Sequence, residues 1–284
     1  MTTQSADVLR YDGTSETWRA AYSSPEPFGQ QLNRRRDAVV AAVEQRLQGK
    51  RVRILDAGCG TGEVTKLLRA AGHEVMALDV SQDMLLEARR QRTPGPGTAA
   101  RNAYVRGSVS TLPIQSGSFD VVVCVGVMGH LMRRRSGAEV LDTAVLAIRE
   151  LARVLRPGGF LVVTAPNMLR MHWLLDPVQL RRALRHRRSV TDLEATDGGG
   201  GERRVHREGT RRWAPWEWRR FLTAHGFRIV GNRGVGFGPF TIFGHGAMSS
   251  ASTVRLSKGL ERSGAGLAPL NWLASYLITT VTVG

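Results

Sequence analysis

Between Arg51 and Pro166 the chain alternates short apolar runs with helical stripes of apolar positions. Val52-Arg53-Ile54-Leu55-Asp56 reads as a strand ending in an acid, followed by a glycine-rich turn and a helical pattern over 64–71. Residues 73–79 predict a second strand, again ending in an acid, and Ser81 stands where an N-cap would open a helix running to Arg90. Pro94-Gly95-Pro96-Gly97 marks a loop and 104–106 a short third strand. Residues 119–127 are almost wholly apolar and β-branched, as a strand buried on both faces requires. Residues 138–155 predict a helix with Val140, Leu141, Ala144, Ile148, Leu151 and Leu155 on one stripe. Arg156-Pro157-Gly158-Gly159 stops it, and 160–164 is a fifth strand. Strands alternating with helices imply right-handed βαβ units and a parallel sheet covered on both faces. Ligands of such sheets bind beyond the carboxyl ends of the strands, where the strand order reverses. Asp56 and Asp79 lie at that edge.

The pattern breaks over 167–214, which holds the cluster Arg181-Arg182-Ala183-Leu184-Arg185-His186-Arg187-Arg188 and four successive glycines, 198–201. This stretch reads as an insertion over the site, not a separate domain. A helix over 216–225 and a turn and strand over 226–230 resume the alternation. No charge occurs between Arg233 and Arg255 or after Arg262. Residues 263–284 are long enough to span a bilayer, but Pro269 and Asn271 weigh against it. The β-branched end, 277–283, predicts a buried terminal strand in preference to a tail anchor.

With 284 residues and 42% apolar content, the chain has material for one large core or two small ones and is not a disordered polymer. Cys59 and Cys124 are too few for a disulfide scaffold and lack metal-site spacing; both read as packing residues. The opening residues show no leader pattern, so a cytoplasmic location is expected. The net charge of +16 reads first as arginine on solvated faces, and it leaves contact with an anionic membrane or nucleic acid open.

The strongest chemical signal is Leu55-Asp56-Ala57-Gly58-Cys59-Gly60-Thr61-Gly62. Glu63 stands where a dinucleotide fingerprint needs its last glycine, and the Walker lysine is missing. A carboxylate at Asp56 repels a pyrophosphate but suits a cationic amino-acid group, and Asp79 can accept from both ribose hydroxyls. A nucleoside with an amino-acid tail and no phosphate fits both acids.

At this point the sequence resembles the class I S-adenosylmethionine-dependent methyltransferases, nearest their ubiquinone/menaquinone-type small-molecule branch. The glycine turn, Ala77-Leu78-Asp79-Val80-Ser81, Leu112-Pro113, Ser118-Phe119-Asp120 and Leu155-Arg156-Pro157-Gly158-Gly159 occur in the family order. Residues 216–230 look like its late helix and strand. The resemblance implies a doubly wound, Rossmann-like α/β fold: a mainly parallel seven-stranded sheet with an antiparallel last strand and a cap insertion. It implies an N-terminal helical cover over 1–50, a methyltransferase domain over 51–284, the cap at 167–214 and a late insertion at 238–270. S-adenosylmethionine is the implied cofactor. Gly58, Gly60 and Gly62 would line its methionine part, Asp56 would order the turn and the amino group, and Asp79 would hold the ribose. Val80 would pack on the adenine, with Ser108 and Val109 at its amino group, Ser108 replacing the usual acid. Val125 would offer backbone. Asn33-Arg34-Arg35-Arg36 resembles an N-terminal motif whose last arginine, Arg36, meets the cofactor carboxylate, and Tyr11 and Trp18 fall in the covering segment.

No Asn/Asp-Pro-Pro-aromatic motif follows the fourth strand, which speaks against nucleobase amino methylation, and Cys124 lacks the setting of a cytosine nucleophile. There remains transfer to an oxygen, nitrogen or carbon of a small acceptor, apolar or lipid-tailed in view of Phe237, Phe240, Ile242, Phe243 and Met248. His130, just past the fourth strand, is the candidate general base, with a packing role as the alternative. Glycines at 126 and 129, where some relatives have metal-holding acids, predict no required metal. His172, His206 and His245 fall in segments able to reach an acceptor. The expected partner is a small-molecule acceptor and not nucleic acid, with peripheral contact to an anionic membrane left open and the oligomeric state unassigned. An RNA or protein methyltransferase and a non-catalytic cofactor-binding subunit are the other readings.

Overall fold

The structure is a computed structural model describing residues 11–91, 103–131, 133–136, 139–169, 211–237, 241–242, 245–246, 249–264 and 270–284. Helices α1 (Ser15–Ser23) and α2 (Pro27–Leu47) precede β1 (Arg53–Ala57), α3 (Glu63–Ala70), β2 (Glu74–Asp79), α4 (Gln82–Arg90) and β3 (Tyr104–Arg106). Then come β4 (Phe119–Cys124), α5 (Thr143–Arg153), β5 (Leu155–Pro166), α6 (Pro215–Ala224), β6 (Phe227–Val235), α7 (Ser250–Gly264), a 3-10 turn (Leu270–Leu273) and β7 (Tyr276–Val283). These seven strands form one sheet in the order β3-β2-β1-β4-β5-β7-β6. Neighbours among β1 to β5 are parallel, and β7 runs antiparallel to β5 and β6. Arg133–Ser136 with Glu139–Asp142, and Thr241–Ile242 with His245–Gly246, pair as separate two-stranded ribbons.

Burial on both faces explains the apolar strands. Ile54 on β1 packs with Val39 and Val43 of α2 and Leu68 of α3, whereas its neighbour Leu55 packs with Ile148 and Leu151 of α5 on the opposite face. β1 lies between β2 and β4, so the chain direction around the sheet reverses there. That reversal opens a crevice at the carboxyl ends of these strands.

Three boundaries differ from the sequence expectation. The fourth strand stops at Cys124, because Gly126 takes a φ of 77° and leaves extended geometry. The helix expected over 138–155 begins only at Thr143: Glu139–Asp142 is a strand, and Asp142 is the N-cap, accepting from the Ala144 amide at 3.1 Å. The strand expected over 160–164 runs from Leu155 to Pro166, because Leu155 already pairs with Phe119.

Ser81 caps α4, accepting from the Met84 amide. β7 is a buried terminal strand, and among the described residues no helix is long and apolar enough to cross a membrane. Cys124 sits in the core, and Cys59 is buried beside Ala77 and Leu85; burial pushes both thiols up. Phe237, expected at the acceptor, is instead core, packed with Ala274 beneath Leu260 and Leu273. The cluster Arg181–Arg188, the glycine run, His172, His206, Phe240, Phe243 and Met248 lie outside the described residues, as do the side chains of Ile242 and His245.

Candidate active site

A cleft of about 1080 Å³, its open mouth included, lies at the carboxyl ends of β1, β2 and β4. Asp56, Gly58, Gly60, Asp79, Val80, Ser108, Val109, Val125 and His130 all line it.

The turn after β1 is drawn over the end of β2 by its own amides. Gly58 and Cys59 donate to the Leu78 carbonyl at 2.7 and 2.9 Å, and Gly60 donates to Asp79 Oδ2 at 2.8 Å. Gly58 has a φ of 78°, and a Cβ there would lie 2.3 Å from Val127 Cγ2, so only glycine fits both the backbone and the gap. Gly62 has a different place from the one expected. It is not among the lining residues; it opens α3 against α4, where a Cβ would stand 2.9 Å from Ala88 Cβ. Its service is helix packing, not ligand approach.

Of the three acids that line this cleft, Asp56, Glu63 and Asp79, the two at the strand ends are buried. Asp56 is 1% exposed, and burial pushes its carboxyl up to about 6. The Thr65 hydroxyl, donating to Oδ2 at 2.5 Å, opposes that shift; Asp79 reinforces it and Arg69 counters it. Asp79 is raised too, by burial first, although the amides of Ser81, Gly60 and Val80 pull it down. Its Oδ1 accepts from Ser81 at 3.0 Å, so both oxygens are held in one orientation with lone pairs left for a ligand.

The cation of the site is Arg35, not Arg36. Arg36 pairs with Asp37 and Glu63 at 2.7 and 3.5 Å and does not line the cleft. Arg35 is 7% exposed, lines the cleft and lies 4.7 Å over the Tyr276 ring. One residue turns an α-helix by about 100°, which separates the two side chains. Leu32, Arg35, Val39, Val43 and Leu47 form the buried stripe of α2, so helical spacing alone would have singled out Arg35. Gly126 makes room for it: a Cβ there would sit 3.1 Å from Arg35 Nη2.

Tyr11, Trp18 and Tyr22 close the cleft from the N-terminal side. The segment is tied down by side chains that sequence reading passed over. Asp83 Oδ2 accepts from the Gly13 and Ser15 amides at 3.1 and 3.0 Å, and the Ser81 hydroxyl donates to Asp12 at 2.6 Å. Tyr11 meets the His130 ring edge to face, with centroids 5.5 Å apart. The turn carrying His130 is closed by its amide donating to the Val127 carbonyl at 2.8 Å. The Ser108 hydroxyl lies 2.8 Å from that of Ser110. Among the described residues no group of three or more His, Cys, Asp or Glu is placed to hold a metal ion.

Residues 55–163 match the methyltransferase domain family. A malonyl-[acyl-carrier protein] O-methyltransferase of Enterobacter lignolyticus is 37% identical over 146 residues, 51% of each chain. A ubiquinone/menaquinone biosynthesis C-methyltransferase of Cereibacter sphaeroides is 35% identical over 131 residues, 44% of this chain and 47% of that one. The chain thus spans about half the length of the curated relatives it matches. A magnesium protoporphyrin IX methyltransferase of Synechocystis, solved with SAH bound, superposes with a TM-score of 0.61 at 16% identity, covering 99% of both chains, which is a likeness of fold. Motif order, sheet order and the matched stretch agree: residues 55–163 are a methyltransferase domain of the class I, S-adenosylmethionine-dependent family.

Proposed function

We propose that this chain transfers a methyl group from S-adenosylmethionine to an oxygen of a small acceptor with an apolar or lipid-like body. The observation that carries the reading is the charge layout of the cleft: two buried carboxylates at the ends of adjacent strands, and opposite them a buried guanidinium whose neighbours are Tyr22 and Tyr276. A nucleoside with a zwitterionic amino-acid tail needs that set. Asp79 accepts from the ribose hydroxyls, Asp56 stands toward the ammonium, and Arg35 takes the carboxylate. Val80, Ser108 and Val109 form the wall for the base, and Val125 offers backbone at the methionine part.

The cofactor, when bound, supplies an electrophilic methyl carbon for in-line displacement. The residues of the chain align and desolvate the reactants. Tyr11 and Trp18 shield the cleft from water, and His130 takes the proton from a hydroxyl acceptor. Among the described residues, the cover is the segment from Tyr11 through α1 and α2, which puts Tyr11, Trp18, Tyr22 and Arg35 on the cleft. The relative named a malonyl-[acyl-carrier protein] O-methyltransferase supports transfer to oxygen, and the one named for ubiquinone/menaquinone biosynthesis supports an acceptor with an apolar body.

The test is calorimetric titration with S-adenosylmethionine, followed by turnover on hydroxylated and carboxylated lipid-like acceptors. His130→Ala is expected to lower kcat by about 10²–10⁴-fold at unchanged cofactor affinity. Equal kcat in both proteins removes the base role, and absence of cofactor binding removes the whole reading.

A further inference from the structure

A second surface lies on the same carboxyl edge of the sheet, at its opposite end. Trp216 opens α6 at 50% exposure and meets Trp272 of the 3-10 turn, 40% exposed, with ring centroids 6.3 Å apart. Both indoles are large apolar groups left in water. The outer stripe of α6 continues from Trp216 through Arg219, Arg220 and Thr223, all exposed.

The one acid of α6 is turned to the start of its own helix. Glu217 accepts from the Ala214 amide at the N-terminus of α6. The indole pair therefore stands beside the two exposed guanidiniums of α6, Arg219 and Arg220, one turn along the helix from Trp216.

The backbone ties this surface to the cleft. Asn167, directly after β5, donates to the Trp272 carbonyl at 2.6 Å, and Trp213 donates to the Pro166 carbonyl at 2.9 Å. Arg211 donates to the carbonyl of Gly129, the residue before His130, at 2.7 Å.

We infer that this face is an interfacial membrane site, taking anionic phospholipid headgroups on Arg219 and Arg220 of α6 and seating Trp216 and Trp272 at the headgroup boundary. Indoles favour that boundary because the ring is apolar and its N–H still finds a hydrogen-bond partner. Clustered arginines add an attraction that fades with salt. The binding itself does not depend on methyl transfer. It deepens the proposed function only by placing the acceptor side of the enzyme against a lipid surface.

The experiment is co-sedimentation of the full chain with phosphatidylcholine–phosphatidylglycerol vesicles and with pure phosphatidylcholine vesicles, at low and high salt, reading tryptophan emission in parallel. Binding is expected only with the anionic vesicles at low salt, with a blue shift. Arg219→Gln with Arg220→Gln should weaken it about thirtyfold, roughly fivefold for each cation. Trp216→Ala with Trp272→Ala should weaken it about tenfold and abolish the shift. Failure of the wild type to bind anionic vesicles overturns the inference, as does equal binding to both vesicle types. Binding that survives both double variants overturns it as well and moves the contact to Arg181–Arg188. Capture of an acidic carrier protein by a chain that ignores vesicles makes this face a protein-docking surface instead. Calorimetry with S-adenosylmethionine on the same samples keeps a failure here distinct from a failure of the proposed function.

Discussion

The β3-β2-β1-β4 half of the sheet and the β5-β7-β6 half share an apolar core on both faces but differ in what their buried polar groups do. In the first half, the buried acids Asp56 and Asp79 stand at the carboxyl edge, oriented toward the cleft by Thr65 and by backbone amides. In the second half, polar side chains enter the framework. Asn167 donates to the Trp272 and Ala274 carbonyls, Asn271 accepts from the Gly234 amide, and Trp218 donates to Thr279 within β7. β7 arrives from the end of the chain and must register against two strands at once, and directional bonds select one register where apolar contact alone tolerates a slip. One half thus builds a ligand site on a generic core, and the other uses specific polar pairs to complete the sheet.

Substitution can separate these two roles. The largest expected effect is Asp79→Ala, which should cost about 2–4 kcal/mol of cofactor affinity by calorimetry, because charged hydrogen bonds to two hydroxyls are lost. Asn167→Ala should act in the opposite half. It strands buried carbonyls and should lower unfolding stability by about 2–3 kcal/mol in denaturant melts, with cofactor affinity unchanged. If Asn167→Ala weakens the cofactor as much as Asp79→Ala does, the two halves are one functional unit.

Arg35→Gln should weaken cofactor binding about tenfold or more, and Arg36→Gln should change it little, since Arg36 is already paired with exposed Asp37 and with Glu63. Acidity gives a subtler test. Asp56 ionises only near 6, so an ammonium partner gains its counter-charge as pH rises through that value, and the raised carboxyl of Asp79 acts in the same direction. Cofactor affinity should rise about tenfold from roughly pH 5 to pH 7, and Asp56→Asn should flatten that profile. Unfolding stability of the ligand-free chain should move the other way. The folded state holds the Asp56 proton that the unfolded state has released, so stability falls as pH rises from about 4 to 6. The smallest effect expected is from a chelator, which should leave turnover unchanged, because glycines stand at 126 and 129.

The chemistry of the first half was legible because it is local. Gly58 and Gly60 mark backbone that a side chain would obstruct or strain, and acids that end two successive strands must meet at one edge once those strands are parallel neighbours. Arg36 illustrates the limit of motif spacing. The motif indicated an arginine in that tetrapeptide, but which of them faces inward depends on the phase of α2, and the buried stripe chose Arg35. Gly62 makes the same point from the glycine turn: its φ of 85° already favours glycine, but its neighbour Ala88 lies 26 residues away in the chain, so only the packing of α3 on α4 shows that it serves a helix contact and not the ligand.

Unaided, the sequence determined the βαβ alternation, the glycine turn, the two acids and a strand at the chain's end, since each follows from backbone sterics and periodicity within a few residues. Tertiary structure alone decided that β7 slots between β5 and β6, that Asp83 and Ser81 tie down the segment carrying Tyr11, and that Trp216 meets Trp272. These contacts join positions dozens of residues apart, and their energies exist only once the sheet has brought the partners within reach.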